Sequence, residues 1–367
     1  MAGSLLVATR KGLFTGIERT EGHWCFGPPA FLGEPVSAVL RDPRDGLLYA
    51  ALRLGHFGVK LHRSEDDGET WTELPAPSFP PEPEAGEKAP AVDMIWTLAA
   101  GGADEPGLLW AGTLPAALFR STDRGESWTR IDSLWTVPER AAWFGGGYDH
   151  PGLHSILVDP RDSRRLTVGI SCGGVWLSED AGANWTLGGT GLRADYMPPG
   201  RADDRAIQDP HRLAHCAAAP DVIWCQHHNG LFRSTDRGAS FIAIAPPAPS
   251  GFGFAAVAHP ADPATAWFVP AMKDECRVPV DGHLVVTRTR DCAVSFETLS
   301  AGLPGEGAYD LVYRHAMDVD ANGERLAMGS TTGNLWIGEA GGARWRLLSA
   351  HLPPIAQVAF DTAGPRD

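Results

Sequence analysis

Three histidines could do chemistry together: His154 in the run LHSILVD, His211, and His228 in the turn CQHHNG. Neutral imidazoles ligate Zn, Fe, Mn, Cu or Ni, and a metal with an open coordination position activates water or polarises a substrate oxygen. Glu275, in AMKDECR, is expected to be a fourth ligand or a general base, and Lys273 of the same turn joins it as a catalytic candidate. Arg10, in ATRKG, is a third, as a cation for an anionic substrate group, with Lys11 beside it. Lys11, His56 in LGHFG, Trp143 and Arg314 are the expected substrate-binding residues. A lone histidine at a strand start is equally served by water or by a backbone carbonyl, so the metal expectation rests on all three converging. His62, His259 and His351 lie in ordinary strand or turn contexts and read as structural.

Convergence needs a fold that brings residues from positions 10 to 314 to one place, and an internal repeat supplies it. An eight-residue phrase recurs as SEDDGETW (64–71), STDRGESW (121–128), SEDAGANW (178–185) and STDRGASF (234–241). Asp and Ser bond nearby backbone and Gly accepts positive φ, so the phrase closes a tight turn, and its aromatic anchors the strand that follows. Weaker copies are TRDCAVSF (289–296), where Ala293 replaces the Gly, GEAGGARW (338–345) and IERTEGHW (17–24). The anchors Trp24, Trp71, Trp128, Trp185, Phe241, Phe296 and Trp345 are spaced by 46 to 57 residues, counting once through the termini. Such a period signals a repeat architecture.

Each unit holds four strand-like runs; the fourth has them at 153–159, 165–171, 174–178 and 184–188. Four strands repeated seven times predict an all-β, seven-bladed β-propeller with four antiparallel strands per blade. The N-terminal run SLLVATR (4–10) has no inner strand before it, and IAQVAFD (355–361) has no strands after it. The second is expected to join the first and close the ring. In this topology the turns between second and third strands open on the same face as the starts of the inner strands, and the repeated phrase lies on the opposite face. Asp66, Asp123, Asp180 and Asp236 are therefore structural, while every candidate above falls on the other face. The long loops 133–152 and 188–210 open there too, and loops of that length are often binding loops.

The 367 residues read as a single domain, 1–367, with 75–90 as an inter-blade loop. A net charge of −14 argues against nonspecific binding to nucleic acid or to an anionic membrane. No apolar stretch reaches transmembrane length and no signal peptide is evident, and six scattered cysteines read as reduced thiols, so a cytoplasmic location is expected.

The repeated phrase resembles the Asp-box, or BNR repeat, of sialidase-like propeller proteins. Together with VATRKGLF (7–14), LHSILVDPRD (153–162), GLRADYMP (191–198), NGLFRSTDRG (229–238) and AHLPP (350–354), it is similar to a bacterial BNR-repeat group often labelled exo-sialidase or glycosyl hydrolase. The resemblance implies the fold more strongly than the activity. A sialidase uses an arginine cluster, a Tyr nucleophile with a Glu partner and an Asp acid. The early Arg-Ile-Pro signature is absent, Tyr309 and Tyr313 are the only suitable tyrosines, and sialidases have six blades rather than seven. The expected function is a metal-assisted hydrolase or lyase acting on a small polar or anionic molecule in a central pocket. The alternatives are a sialidase-like glycosidase using Tyr309 or Tyr313, Glu275 and Arg10, and a noncatalytic scaffold or assembly factor. A small-molecule ligand is the expected partner; the oligomeric state is left open.

Overall fold

The computed structural model describes residues 3–81 and 90–361. Within them lie seven four-stranded antiparallel sheets, each strand paired with its neighbours in sequence. The first blade alone is built from both ends of the chain. Ile355–Phe360 is its inner strand, paired with Ser4–Thr9 in a register that sets Val358 opposite Val7 and Phe360 opposite Leu5. The inner strands of the other six blades begin the sheets in chain order: Val36–Arg41, Met94–Ala100, Gly152–Val158, Pro210–Cys216, Gly253–Ala258 and Met317–Val319. Neighbouring inner strands touch all the way round, so the sheets form a closed ring about a central channel. Part of the expected loop 75–90, residues 82–89, lies outside the described residues.

The repeated phrase joins third and fourth strands. In the second blade, Gly68 N–H donates to Ser64 Oγ at 2.8 Å, Ser64 Oγ–H to Asp66 Oδ1 at 2.8 Å, and Thr70 N–H to the same Oδ1 at 2.8 Å. The turn requires two successive left-handed residues, Asp67 (φ 60°) and Gly68 (φ 92°). Gly serves the second position because it lacks the Cβ that penalises this region. In the copy without Gly, Ala293 still adopts φ 71°. The anchors Phe241 and Trp345 are buried at 4% and 5% exposure, so the turn is pinned into the core between blades.

A second regularity sits at the opposite end of the channel. In six blades the pairing of inner and second strands slips by one residue: at Ser37, Trp96, His154, His211, between Gly253 and Ala256, and at Ala356. These are β-bulges, which bend a strand and re-aim side chains at rims and sites. Three bulge residues use that aim to grip the next blade. Ser37 Oγ–H donates to Ile95 O at 2.8 Å, a His154 Nε2–H to Pro210 O at 2.8 Å, and a His211 Nδ1–H to Gly253 O at 2.7 Å. In the first two cases the acceptor immediately precedes the neighbour's own bulge residue, and Gly253 likewise opens the bulge of the sixth blade. The side chains thus staple adjacent blades at the channel mouth.

Candidate functional site

The mouth of the channel widens into a cavity of about 630 Å³. Bulge positions Ser37, Trp96, His211, Phe254 and Ala356 contribute to its wall, as do Gly146, Gly147 and Tyr148 of the loop 133–152 and Asp209 at the end of the loop 188–210. One turn each from the first, fifth and sixth blades adds Arg10, His228, and Asp274 with Arg277. The approach to the last inner strand adds Tyr313, Arg314 and His315.

A candidate divalent-metal ligand cluster lies on this wall: Asp209, His211 and His228, whose ligand atoms are all within 4.8 Å of one another. Asp209 Oδ2 faces His211 Nε2 at 3.3 Å and His228 Nδ1 at 3.5 Å. The other oxygen, Oδ1, accepts from Ser171 Oγ at 2.9 Å and from Cys172 N–H at 3.2 Å. Asp209 is 4% exposed. Burial opposes its ionisation, but the charge and hydrogen bonding of His211, the bond to His228 and the nearby Arg314 outweigh it and hold the carboxyl well below its ordinary range. Burial pushes His211 below the usual histidine value, against the pull of Asp209. With Nδ1–H committed to Gly253 O, Nε2 is the nitrogen that faces the carboxylate. A backbone carbonyl fixing one nitrogen while the other faces the site is the usual second support of a metal-bound histidine. Local sequence explains the meeting. Asp209 sits just before the strand that carries His211, and the bulge at His211 breaks the strand's regular alternation beside it. The His228 N–H donates to Asp209 O at 3.0 Å and brings the turn alongside.

The structure does not place His154 with the other two histidines, which corrects the expected trio. Both its ring nitrogens are engaged: Nε2 toward Pro210 O, and Nδ1 with Ser155 Oγ at 3.0 Å. It is wholly buried, and burial, with Arg314 and His315 adding to it, holds its pKa well below the ordinary value. A histidine with no free lone pair cannot ligate. Asp209 stands in the third position instead.

The other expected residues divide in the same way. Arg10 and Arg314 line the cavity. Lys273 and Glu275 do not; they form an exposed pair at 3.7 Å on a hairpin that folds on itself, so Glu275 is not a fourth ligand here. Lys11 is exposed outside the cavity lining, and His56 stacks edge-on against Phe57 at the surface. Trp143 packs into the core against Trp176 at 5.9 Å. Of the two tyrosines, Tyr313 lines the cavity and Tyr309 is 70% exposed.

No protein-family model matches the chain. The matching curated relatives are xyloglucanases, for example that of Hypocrea jecorina, 25% identical over 160 residues, which is 40% of this chain and 18% of that protein. The chain thus spans less than a fifth of the length of these relatives. Among solved structures, the GH74 xyloglucanase from Xanthomonas campestris superposes with a TM-score of 0.62 at 18% identity, covering 98% of this chain and 53% of that one. A candidate 6-phosphogluconolactonase from Bacteroides fragilis gives 0.58 at 14% identity, covering 98% of both chains. These structural likenesses establish the propeller. They also correct the kinship expected from the repeated phrase: the relatives found are xyloglucanases, not sialidase-like Asp-box proteins. No helix among the described residues is long and apolar enough to cross a membrane, and neither the relatives nor the structure bears out the cytoplasmic location.

Proposed function

We propose that this propeller is a metal-assisted enzyme, a hydrolase or lyase, that acts on a small polar molecule at the wide end of its channel. One observation carries the reading: three side chains that can each offer a ligand atom meet on the cavity wall, with Asp209 Oδ2 at 3.3 Å from His211 Nε2 and 3.5 Å from His228 Nδ1. An ionised carboxylate beside a bare imidazole nitrogen is repulsive unless a proton or a cation lies between them. Burial disfavours the proton on His211, against the pull of Asp209. A divalent cation removes the conflict, and a set of two imidazoles and one carboxylate suits Zn, Fe or Mn while leaving positions open. When bound, such an ion polarises a substrate oxygen or lowers the pKa of a water. Ser171 and Cys172 N–H hold Oδ1 so that Oδ2 stays turned to the histidines, Gly253 fixes the His211 tautomer, and Trp96, Tyr148 and Phe254 give the cavity its apolar wall.

The relatives favour a second reading, glycan hydrolysis without metal. That chemistry needs a protonated carboxyl as acid. Among the described residues lining the cavity the carboxylates are Asp209, held ionised, and Asp274, clamped by Arg277 at 2.6 Å. Asp209 thus has no proton to give, and Asp274 is committed to its ion pair with Arg277. Metal analysis of protein purified without a histidine tag separates the readings. The metal reading expects a stoichiometric divalent ion that Asp209→Asn and His211→Ala each remove. Metal-free protein that still cleaves xyloglucan in a chelator would overturn it.

A further inference from the structure

The charges of the cavity wall do not balance. Its charged side chains are four arginines, Arg10, Arg53, Arg277 and Arg314, against two aspartates, Asp209 and Asp274, in a chain whose net charge is −14. Arg53 is neutralised by Asp93 and Arg277 by Asp274. Arg314 and Arg10 have no ion-pair partner among the described residues. Arg314 is the more telling. Its guanidinium lies 4.9 Å from the ring centre of Trp96 and 5.4 Å from that of Phe254, and its buried Nε has no hydrogen-bond partner. Burial draws its pKa down from the ordinary arginine value, with Asp209 opposing that fall. Trp96 and Phe254 thus flank the guanidinium on the cavity wall. A guanidinium presents a rigid N–H fork matched to two oxygens of one oxyanion. A half-buried cation without an ion-pair partner is under-compensated, and a ligand oxyanion would complete it.

We propose that Arg314 anchors a carboxylate or phosphate group of the substrate, with Arg10 at the rim as a second contact, so that the cavity selects a small oxyanion-bearing molecule over a neutral glycan. The inference rests on the metal reading only in setting the reacting part of the substrate beside Asp209, His211 and His228; the anchor itself needs no metal.

Calorimetric titration of chelator-treated protein with inorganic phosphate and, separately, with succinate tests the anchor alone. Saturable binding of at least one anion is expected. Arg314→Met should weaken it tenfold or more, and Arg314→Lys should recover only part of the loss, because an ammonium cannot form the fork. Binding of phosphate alone would identify a phosphate ester as the substrate class, and of succinate alone a carboxylate. Metal content is measured in the same variants. Loss of anion binding with metal retained supports the anchor. Anion binding that is absent, or unchanged in folded Arg314→Met and Arg314→Lys, overturns it and leaves the metal reading standing. A protein that binds the anion through Arg314 but never binds metal overturns the metal reading and keeps the anchor.

Discussion

His154 and His211 occupy equivalent bulges on neighbouring blades, yet they have different tasks. His154 spends both nitrogens on Pro210 O and Ser155 Oγ, whereas His211 spends one on Gly253 O and turns the other to Asp209 on the cavity wall. Substitutions should therefore separate them. His154→Ala leaves a buried carbonyl and a buried hydroxyl short of a partner and opens a void, at a cost of about 2–4 kcal/mol. Urea unfolding should show that loss while metal content stays at the wild-type level. His211→Ala should lose stability and metal together. The sequence made two of the three cluster residues legible, because His211 and His228 lie at a strand start and a turn on one face. Asp209 was there to be found: it sits just before the strand that carries His211. What composition and spacing cannot show is which histidine turns a nitrogen to the cavity, since that depends on a carbonyl one blade away.

At the level of turns and strands, the repeated phrase predicts its own local structure, down to the Ser and Asp side chains that close it. In the third blade Asp123 accepts from Ser121 Oγ at 2.7 Å, Ser127 N–H at 2.9 Å and Ser127 Oγ at 2.6 Å. Asp123→Ala should cost on the order of 1–2 kcal/mol, because these bonds are near the surface and water replaces part of them. The turn lies at the end of the channel away from the cavity, so anion binding and metal content should not change; a chemical-denaturation midpoint measured beside a metal assay checks both. The turns on the cavity face were less legible. Strand order fixes the face on which a turn emerges but not the direction in which it leans. The hairpin bridged at Lys273 and Cys276 sends Asp274 and Arg277 to the cavity and leaves Lys273 and Glu275 in solvent, whereas the turn of His228 is drawn inward by Asp209 O. The same limit applies to Trp143, whose loop lies at the correct mouth but whose ring is needed by the core beside Trp176.

Across the whole molecule, histidines kept neutral by burial make the ring sensitive to acid. Burial holds His215 at about 4, and His154 and His315 well below the ordinary value. Once unfolded, each takes up a proton near pH 6.5. Below that pH the unfolded chain binds more protons than the folded one, so stability should fall as pH drops from about 6.5 toward 4, by at most ~1.4 kcal/mol per pH unit for each histidine. Asp318, which burial pushes up to about 6, acts in the opposite sense: the folded state takes its proton first, so it favours folding as pH falls through 6. One carboxyl against three histidines leaves a net loss, and melting temperatures at pH 7 and pH 5 should show it. The staple at His211 has a further consequence. Its imidazole ties the fifth blade to the sixth through Gly253 and also confronts Asp209, so whatever settles on one nitrogen alters the tension at the other. On the metal reading, the seam between these two blades is where occupancy of the cavity should be felt. Amide hydrogen exchange along Gly253–Ala258 should slow when metal is added, while exchange beside the Ser37–Ile95 staple on the second blade, which touches no ligand of the cluster, keeps its rate.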